Sequence, residues 1–161
     1  CSLYDLIESS RVDILSLGGT KNGLMGAEAL LILNSDLEEG SDYLQKQTLQ
    51  LLSKMRYLSA QYIPFFKNDL WKTLASQANQ KAQEIALLVK ETPHLSLSYP
   101  VETNQIFFTA PASWISLIQE KIFCYPWDLE KNEVRFIASW NTSEKEINDL
   151  KEILAKIALN Y

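Results

Sequence analysis

The segment Val12 to Asn34 reads VDILSLGGTKNGLMGAEALLILN: two apolar runs, Val12–Leu17 and Ala29–Leu33, on either side of a glycine-rich loop. Both runs are short, aliphatic and bounded by turn residues, which predicts a pair of buried strands. The loop holds Gly18, Gly19, Gly23 and Gly26, four of the chain's five glycines. Glycines at that density let the backbone approach a bound group closely and take up positive φ. Lys21 sits in the middle of them. It is either a solvated side chain on a surface turn or, flanked by strands and partly desolvated, an amine free to attack a carbonyl as a Schiff-base residue. A phosphate-cradling P-loop is a poor match, because that pattern needs Ser or Thr after the lysine and here Asn22 follows.

Outward from this segment, Leu3, Leu6 and Ile7 form a brief helical stripe on the N-terminal side. On the C-terminal side, Ser35–Ser41 reads as a polar turn, with Ser41 or Asp42 placed to cap a helix. From Tyr43 to Tyr62, Leu44, Leu51, Leu52, Met55 and Leu58 recur at helical spacing, and Pro64 is expected to end that helix. A longer helix is expected from Asn68 or Asp69 to the residue before Pro93, with Trp71, Leu74, Ala75, Ala78, Ala82, Ile85 and Val89 on one face. Beyond it, Leu95–Tyr99, Thr103–Thr109, Ile122–Tyr125 and Val134–Ser139 read as strands, and a helix starts near Pro111 with Trp114, Leu117 and Ile118. The last helix announces itself by a capping box, Ser143 with Glu146, ahead of the stripe Ile147, Leu150, Leu154 and Ile157. Strands separated by single helices describe an α/β class chain with a hinge near Tyr62–Phe66, so that residues 1–62 and 63–161 form two parts.

Composition narrows the function classes. With 161 residues, 47% hydrophobic, the chain can bury one sizeable core or two small ones. A formal charge of -5 and the lack of a basic stripe argue against nucleic acid or an anionic membrane as partner. The two cysteines, Cys1 and Cys124, are too few and too far apart for a disulfide framework, and no apolar run approaches 20 residues. Together with the lack of a signal peptide, this points to the cytoplasm. A first residue that is cysteine rather than methionine suggests that the chain begins inside a longer protein.

Among candidate site residues, Arg135 in VRFIAS falls on the same strand face as Ile137, between apolar neighbours. An arginine there is expected to need an anion, either a structural Asp or Glu or a ligand carboxylate gripped by its planar fork. His94, the only histidine, reads as a solvated loop side chain beside Pro93. Lys54 and Arg56 read as the solvated face of a helix. No residues assemble at metal-ligand spacing, so no metal is expected, and no serine sits in a GxSxG elbow.

The glycine-loop segment resembles the cofactor-lysine segment of the low-specificity L-threonine aldolases, in the branch that reads DxxSxGGTKNG. LLSKMRYLSAQ at Leu51–Gln61, YPVETNQIFF, FCYPW and VRFIASWNTSEKEI resemble later parts of that family, so the similarity runs collinearly over essentially the whole chain. The resemblance implies the C-terminal part of a fold-type-I pyridoxal-phosphate enzyme: the end of the large-domain sheet, then a small C-terminal α/β domain. It implies that Lys21 forms the internal aldimine with pyridoxal 5'-phosphate, that Thr20 lies near the cofactor phosphate, and that Arg135 holds the carboxylate of a small-molecule amino-acid substrate. The implied reaction cleaves threonine or allo-threonine between Cα and Cβ to glycine and an aldehyde. Family members are usually tetramers, dimers of dimers, in which Lys54 or Arg56 would reach a neighbour's cofactor phosphate.

The departure from the family concerns completeness. Its Gly-Thr phosphate loop, its ring-stacking histidine, its aspartate at the pyridine nitrogen and its second carboxylate-binding arginine have no counterpart here. Two readings of different class follow. Either the chain is part of a threonine aldolase, inactive by itself, or it is a non-catalytic folded module that serves structure or subunit association. Other lyases of the same fold type, such as a serine hydroxymethyltransferase or a β-eliminating enzyme, are disfavoured by GGTKNG together with the TN strand.

Overall fold

A computed structural model of the chain describes residues 2–160, so Cys1 and what was expected of it lie outside the described residues. The chain divides into two compact units, Cys1–Trp71 and Lys72–Tyr161.

The first unit is built on the expected pair of strands. β1 (Ile14–Gly18) and β2 (Glu28–Ile32) pair antiparallel, Ile14 against Ile32 and Gly18 against Glu28. A single helical turn of 3-10 type, Thr20–Asn22, occupies the loop between them. The helix α1 (Leu3–Ser9) precedes the hairpin and carries a capping box made by Ser2 and Asp5. The strands are not buried as expected: they alternate between exposed and half-buried, and among the described hydrophobic residues of this unit only Ala27 and Phe65 are enclosed.

That exposure explains the main departure from expectation. The long helix read over Tyr43–Tyr62 is three short pieces, α2 (Ser41–Gln47), α3 (Arg56–Ser59) and α4 (Tyr62–Phe66). Leu44, Leu51 and Leu52 are each half or more exposed, so the apolar stripe has nothing to pack on, and packing rather than propensity holds most helices together. The breaks fall at Leu49 and Lys54, both at positive φ. The expected side-chain cap is absent as well: Gly40, at φ 80°, occupies that position and Ser41 is the first helical residue. Pro64 does not end a helix. It lies in the first turn of α4, where its missing N–H costs no intrahelical bond.

The second unit follows the sequence closely. α5 (Leu70–Glu91) enters it from the unit boundary and buries Ala78, Ala82, Ile85, Ala86 and Val89. The strands β3 (Ser96–Leu97), β4 (Gln105–Thr109), β5 (Tyr125–Asp128) and β6 (Glu133–Ile137) form an antiparallel sheet in the order β3-β4-β6-β5. α6 (Ala112–Gln119) and α7 (Glu144–Leu159) complete it, and the Ser143–Glu146 capping box is present as read. Ile106, Phe108, Val134 and Phe136 point to one face of the sheet and share a core with Trp114 and Ile118 of α6, Leu150 and Leu154 of α7, and Val89. The opposite face carries Phe107 and Arg135, which pair directly across β4 and β6.

One strand is displaced. Ile122–Tyr125 was expected extended, but Ile122 donates to Ile118 O at 2.8 Å and so finishes the turn of α6. The strand begins instead at Tyr125 and carries Pro126, which an edge strand tolerates because it leaves no ladder hydrogen bond unmade.

Candidate functional site

The loop that carries Lys21 is short, tight and tied down from several directions. Gly19 N donates to Ala27 O at 3.0 Å, and Asn22 N and Leu24 N both donate to Gly19 O at 3.0 Å. A Cβ at position 19 would lie 2.6 Å from Ala27 O and 2.6 Å from a Leu24 methyl, so only glycine fits. Gly23 closes the turn at φ 100°, a conformation that side chains disfavour. The Asn22 amide donates to Trp71 O at 3.0 Å. Gln61 grips the far side of the loop, accepting from Met25 N at 2.8 Å and donating to Met25 O at 3.1 Å. The Tyr62 hydroxyl lies 3.1 Å from Leu17 O and 3.0 Å from Ala27 O, donating its one proton between the two strand ends. Burial, and then the charge of Glu28, push the Tyr62 phenol above its ordinary pKa, so it stays a donor.

Lys21 itself is exposed. The partial desolvation expected of it is therefore not supplied by the described residues. Thr20, its neighbour, is exposed too, and its N–H donates to Glu28 Oε1 at 3.2 Å. Hydrogen bonds from the Thr20 hydroxyl and N–H hold the Glu28 carboxyl below its usual range, against the opposing effect of burial and with smaller help from the Gly19 N–H and the charge of Lys21. A carboxylate lowered in this way contributes stability that is present above the unfolded pKa, near 4.3, and is lost as pH falls through the folded one. Amide hydrogen exchange at Thr20 should therefore accelerate in Glu28→Gln at neutral pH, and the wild type should converge on that variant as pH drops below about 4. A Thr20 amide equally protected in both proteins at pH 7 would show that Glu28 does not hold the loop.

Arg135 lies in the second unit, half-buried on the sheet face opposite the core, flanked by buried Val134 and Phe136 and sharing its face with exposed Ile137. Of the two anions expected for it, the structural acid is not there: among the described residues no carboxylate pairs with it. Aromatic rings take that place. Its guanidinium carbon is 5.0 Å from the Tyr125 ring centre and 4.6 Å from that of Trp127. Contacts of this kind contribute about 0.5–1 kcal/mol each at an exposed site and about 2 kcal/mol when desolvated. Its Nε is enclosed and has no hydrogen-bond partner among the described residues.

The other candidates fall as follows. Lys54 and Arg56 are exposed, Lys54 at φ 59° and Arg56 over the Tyr57 ring at 5.1 Å. His94 is exposed at φ 68°, its ring edge-on to Trp114. Among the described residues, no three His, Cys, Asp or Glu side chains gather to hold a metal, and no helix is long and apolar enough to cross a membrane. Cys124 is a free, buried thiol raised above its usual pKa by that burial. The sequence reading missed Glu28, Gln61, Tyr62, Tyr125 and Trp127. Of these only Glu28 left a local trace, a lone acid at the mouth of an apolar strand.

No protein-family model matches the chain. A low-specificity L-threonine aldolase of Pseudomonas aeruginosa is 37% identical over 150 residues, 93% of this chain and 43% of that protein. Its counterpart from a Pseudomonas species is 35% identical over the same shares. The chain is homologous to the low-specificity L-threonine aldolases. It spans less than half the length of these curated relatives. In structure, a threonine aldolase of Leishmania major superposes with a TM-score of 0.84 at 28% identity, over 95% of this chain and 46% of that one. Glycine decarboxylase of the glycine cleavage system shares the fold at a TM-score of 0.52 and 15% identity, over 89% of this chain and 34% of that one. The mixed α/β architecture is thus the fold-type-I arrangement that the motif implied, as found in threonine aldolase.

Proposed function

We propose that these residues form part of a pyridoxal-phosphate-dependent L-threonine aldolase, with 1–62 the end of its large domain and 63–161 its small domain. The observation that carries this reading is the exposed Lys21 amine on a loop that admits only glycine at position 19. The residues present fit part of such a cofactor: a primary amine able to carry it covalently, the Thr20 hydroxyl beside that amine, and a guanidinium with no acid of its own. The bound cofactor would supply an electron sink for the pair released when the Cα–Cβ bond of threonine breaks, leaving glycine and acetaldehyde. Lys21 then serves as the attachment point and Arg135 as the two-pronged anchor of the substrate carboxylate. The rigid tether of Glu28, Gln61 and Tyr62 fixes where the amine emerges, and such fixing is what converts a collision into a positioned reaction.

Lys21 and Thr20 alone offer too few donors for a dianionic cofactor. The 161-residue chain by itself is therefore expected to bind pyridoxal phosphate weakly and to produce no acetaldehyde from L-threonine. The working site would be cytoplasmic and assembled in a homo-oligomer. Sparse burial in the first unit supports the second part of this: Ile14 and Leu30 lie 46% and 65% exposed on strands with free edges, and Leu33, just past β2, lies 45% exposed. Sedimentation of the isolated chain should show self-association that truncating residues 1–62 removes. A monomer at high concentration would contradict it.

Catalysis is tested in a chimera in which these residues replace the region that they match in the Pseudomonas aeruginosa aldolase. There, Arg135→Lys keeps the charge but loses the planar fork. KM for L-threonine should rise about ten- to hundredfold, since a hydrogen bond to a charged group contributes about 1.5–3 kcal/mol, with the cofactor band unchanged. Unchanged kinetics in a less stable protein would make Arg135 structural.

The non-catalytic reading has one observation of its own, the exposed apolar surface of the first unit. An aldolase subunit explains that surface equally well, so it does not favour the module.

A further inference from the structure

Arg135 is the centre of a continuous set of rings. Register places Phe107 directly across from it on β4 and Tyr125 directly across on β5, so three neighbouring strands present these side chains to one face. Trp127 reaches the same group after the irregularity between Pro126 and Asp128, and its ring packs edge-on to Phe107 with centres 5.4 Å apart. Tyr125 and Trp127 are also 49% and 53% exposed, so both residues remain about half open to solvent. An exposed arginine normally keeps a large rotamer entropy that a ligand must quench on binding. Here two rings have already restricted it. The enclosed, unpartnered Nε adds a direction. A carboxylate can meet a guanidinium side-on, through Nε and one Nη, or end-on, through both Nη groups. With Nε shut off, only the end-on approach remains.

We propose that Tyr125 and Trp127 are positioning residues that hold the Arg135 guanidinium flat and present its two Nη groups end-on to the carboxylate of an amino-acid ligand. The inference rests on the reading of Arg135 as a carboxylate anchor and adds how that anchor is aimed. Neither ring touches the reacting atoms in this role. They act through the arginine.

The test is nitrogen-resolved NMR of the arginine side chains, in the full 161-residue chain without ligand and, with glycine as probe, in the cofactor-loaded chimera. In the wild type the Arg135 Nε–H resonance should be shifted upfield by the rings and exchange slowly with water. Trp127→Leu should remove that shift and speed Nε–H exchange about tenfold, while Trp127→Phe, which keeps a ring, restores most of both. Saturating glycine should move the Nη resonances and leave Nε in place. An unshifted, fast-exchanging Nε–H in the wild type overturns the clamp without requiring any variant to fold. A glycine-induced downfield shift of Nε overturns the end-on geometry. If the ring shift is present but glycine moves no nitrogen of Arg135, the clamp stands as packing and the carboxylate reading fails.

Discussion

Replacing Lys21 by alanine is expected to abolish acetaldehyde formation in the chimera and to remove the visible absorption band of lysine-bound cofactor. The expectation rests on the exposed amine and on the loop that holds it, not on the lysine's identity alone. Gly19 and Glu28 hold Asn22 and Thr20 directly, Gly23 closes the turn, and Gln61 and Tyr62 fasten the flanking backbone at Met25, Leu17 and Ala27. No other lysine has this setting. Lys54 sits in the exposed stretch before α3, and Lys81 is engaged by Glu84 at 2.9 Å and by Glu144. The loss should be complete rather than partial, because a covalent attachment has no neutral substitute. A Lys21→Ala protein that kept both band and turnover would move the attachment to another residue.

The second large effect concerns stability. Trp114 of α6 is 1% exposed and is the largest fully enclosed side chain of the second unit's core. Trp114→Ala should destabilise the unit by about 3–5 kcal/mol, the usual range for removing a buried aromatic side chain and leaving a cavity. In a domain of this size each kcal/mol lowers Tm by about 4–8 °C, so the variant should melt at least about 12 °C below the wild type. Thermal unfolding followed by circular dichroism reads this directly. A loss below about 1 kcal/mol would mean that the core can collapse around the gap, which its other enclosed residues give no reason to expect. The site feels this too, since Val134 and Phe136, which flank Arg135, belong to the same core.

How much was legible in the sequence depends on how local each signal is. The hairpin Ile14–Ile32, the long helix α5 and the capped helix α7 each carry their pattern within a few residues, and all are present where expected. The helix read over Tyr43–Tyr62 had a pattern but no partner, and an apolar stripe stabilises a helix only when something covers it. β5 was misplaced because CYPWD carries a proline and two aromatics that suit an edge strand as well as a loop. The site divides in the same way. Lys21 and its glycines were visible because chemistry and backbone constraint coincide in one segment. Glu28 meets Thr20 only once the two strands pair, and Gln61 and Tyr62 arrive from far along the chain. Arg135 was recognised as needing company, but the partner is a pair of rings rather than an acid. Charge arguments alone look for opposite charge and overlook the π face of an aromatic ring.

The most direct measurement compares acetaldehyde release from L-threonine in the chimera, its Lys21→Ala variant and the isolated 161-residue chain, each incubated with pyridoxal phosphate. The expected result is sustained turnover in the chimera and none in the other two. A folded chimera that turned over no threonine, or a Lys21→Ala chimera as fast as its parent, would contradict the assignment of these residues to the lysine-bearing part of an aldolase.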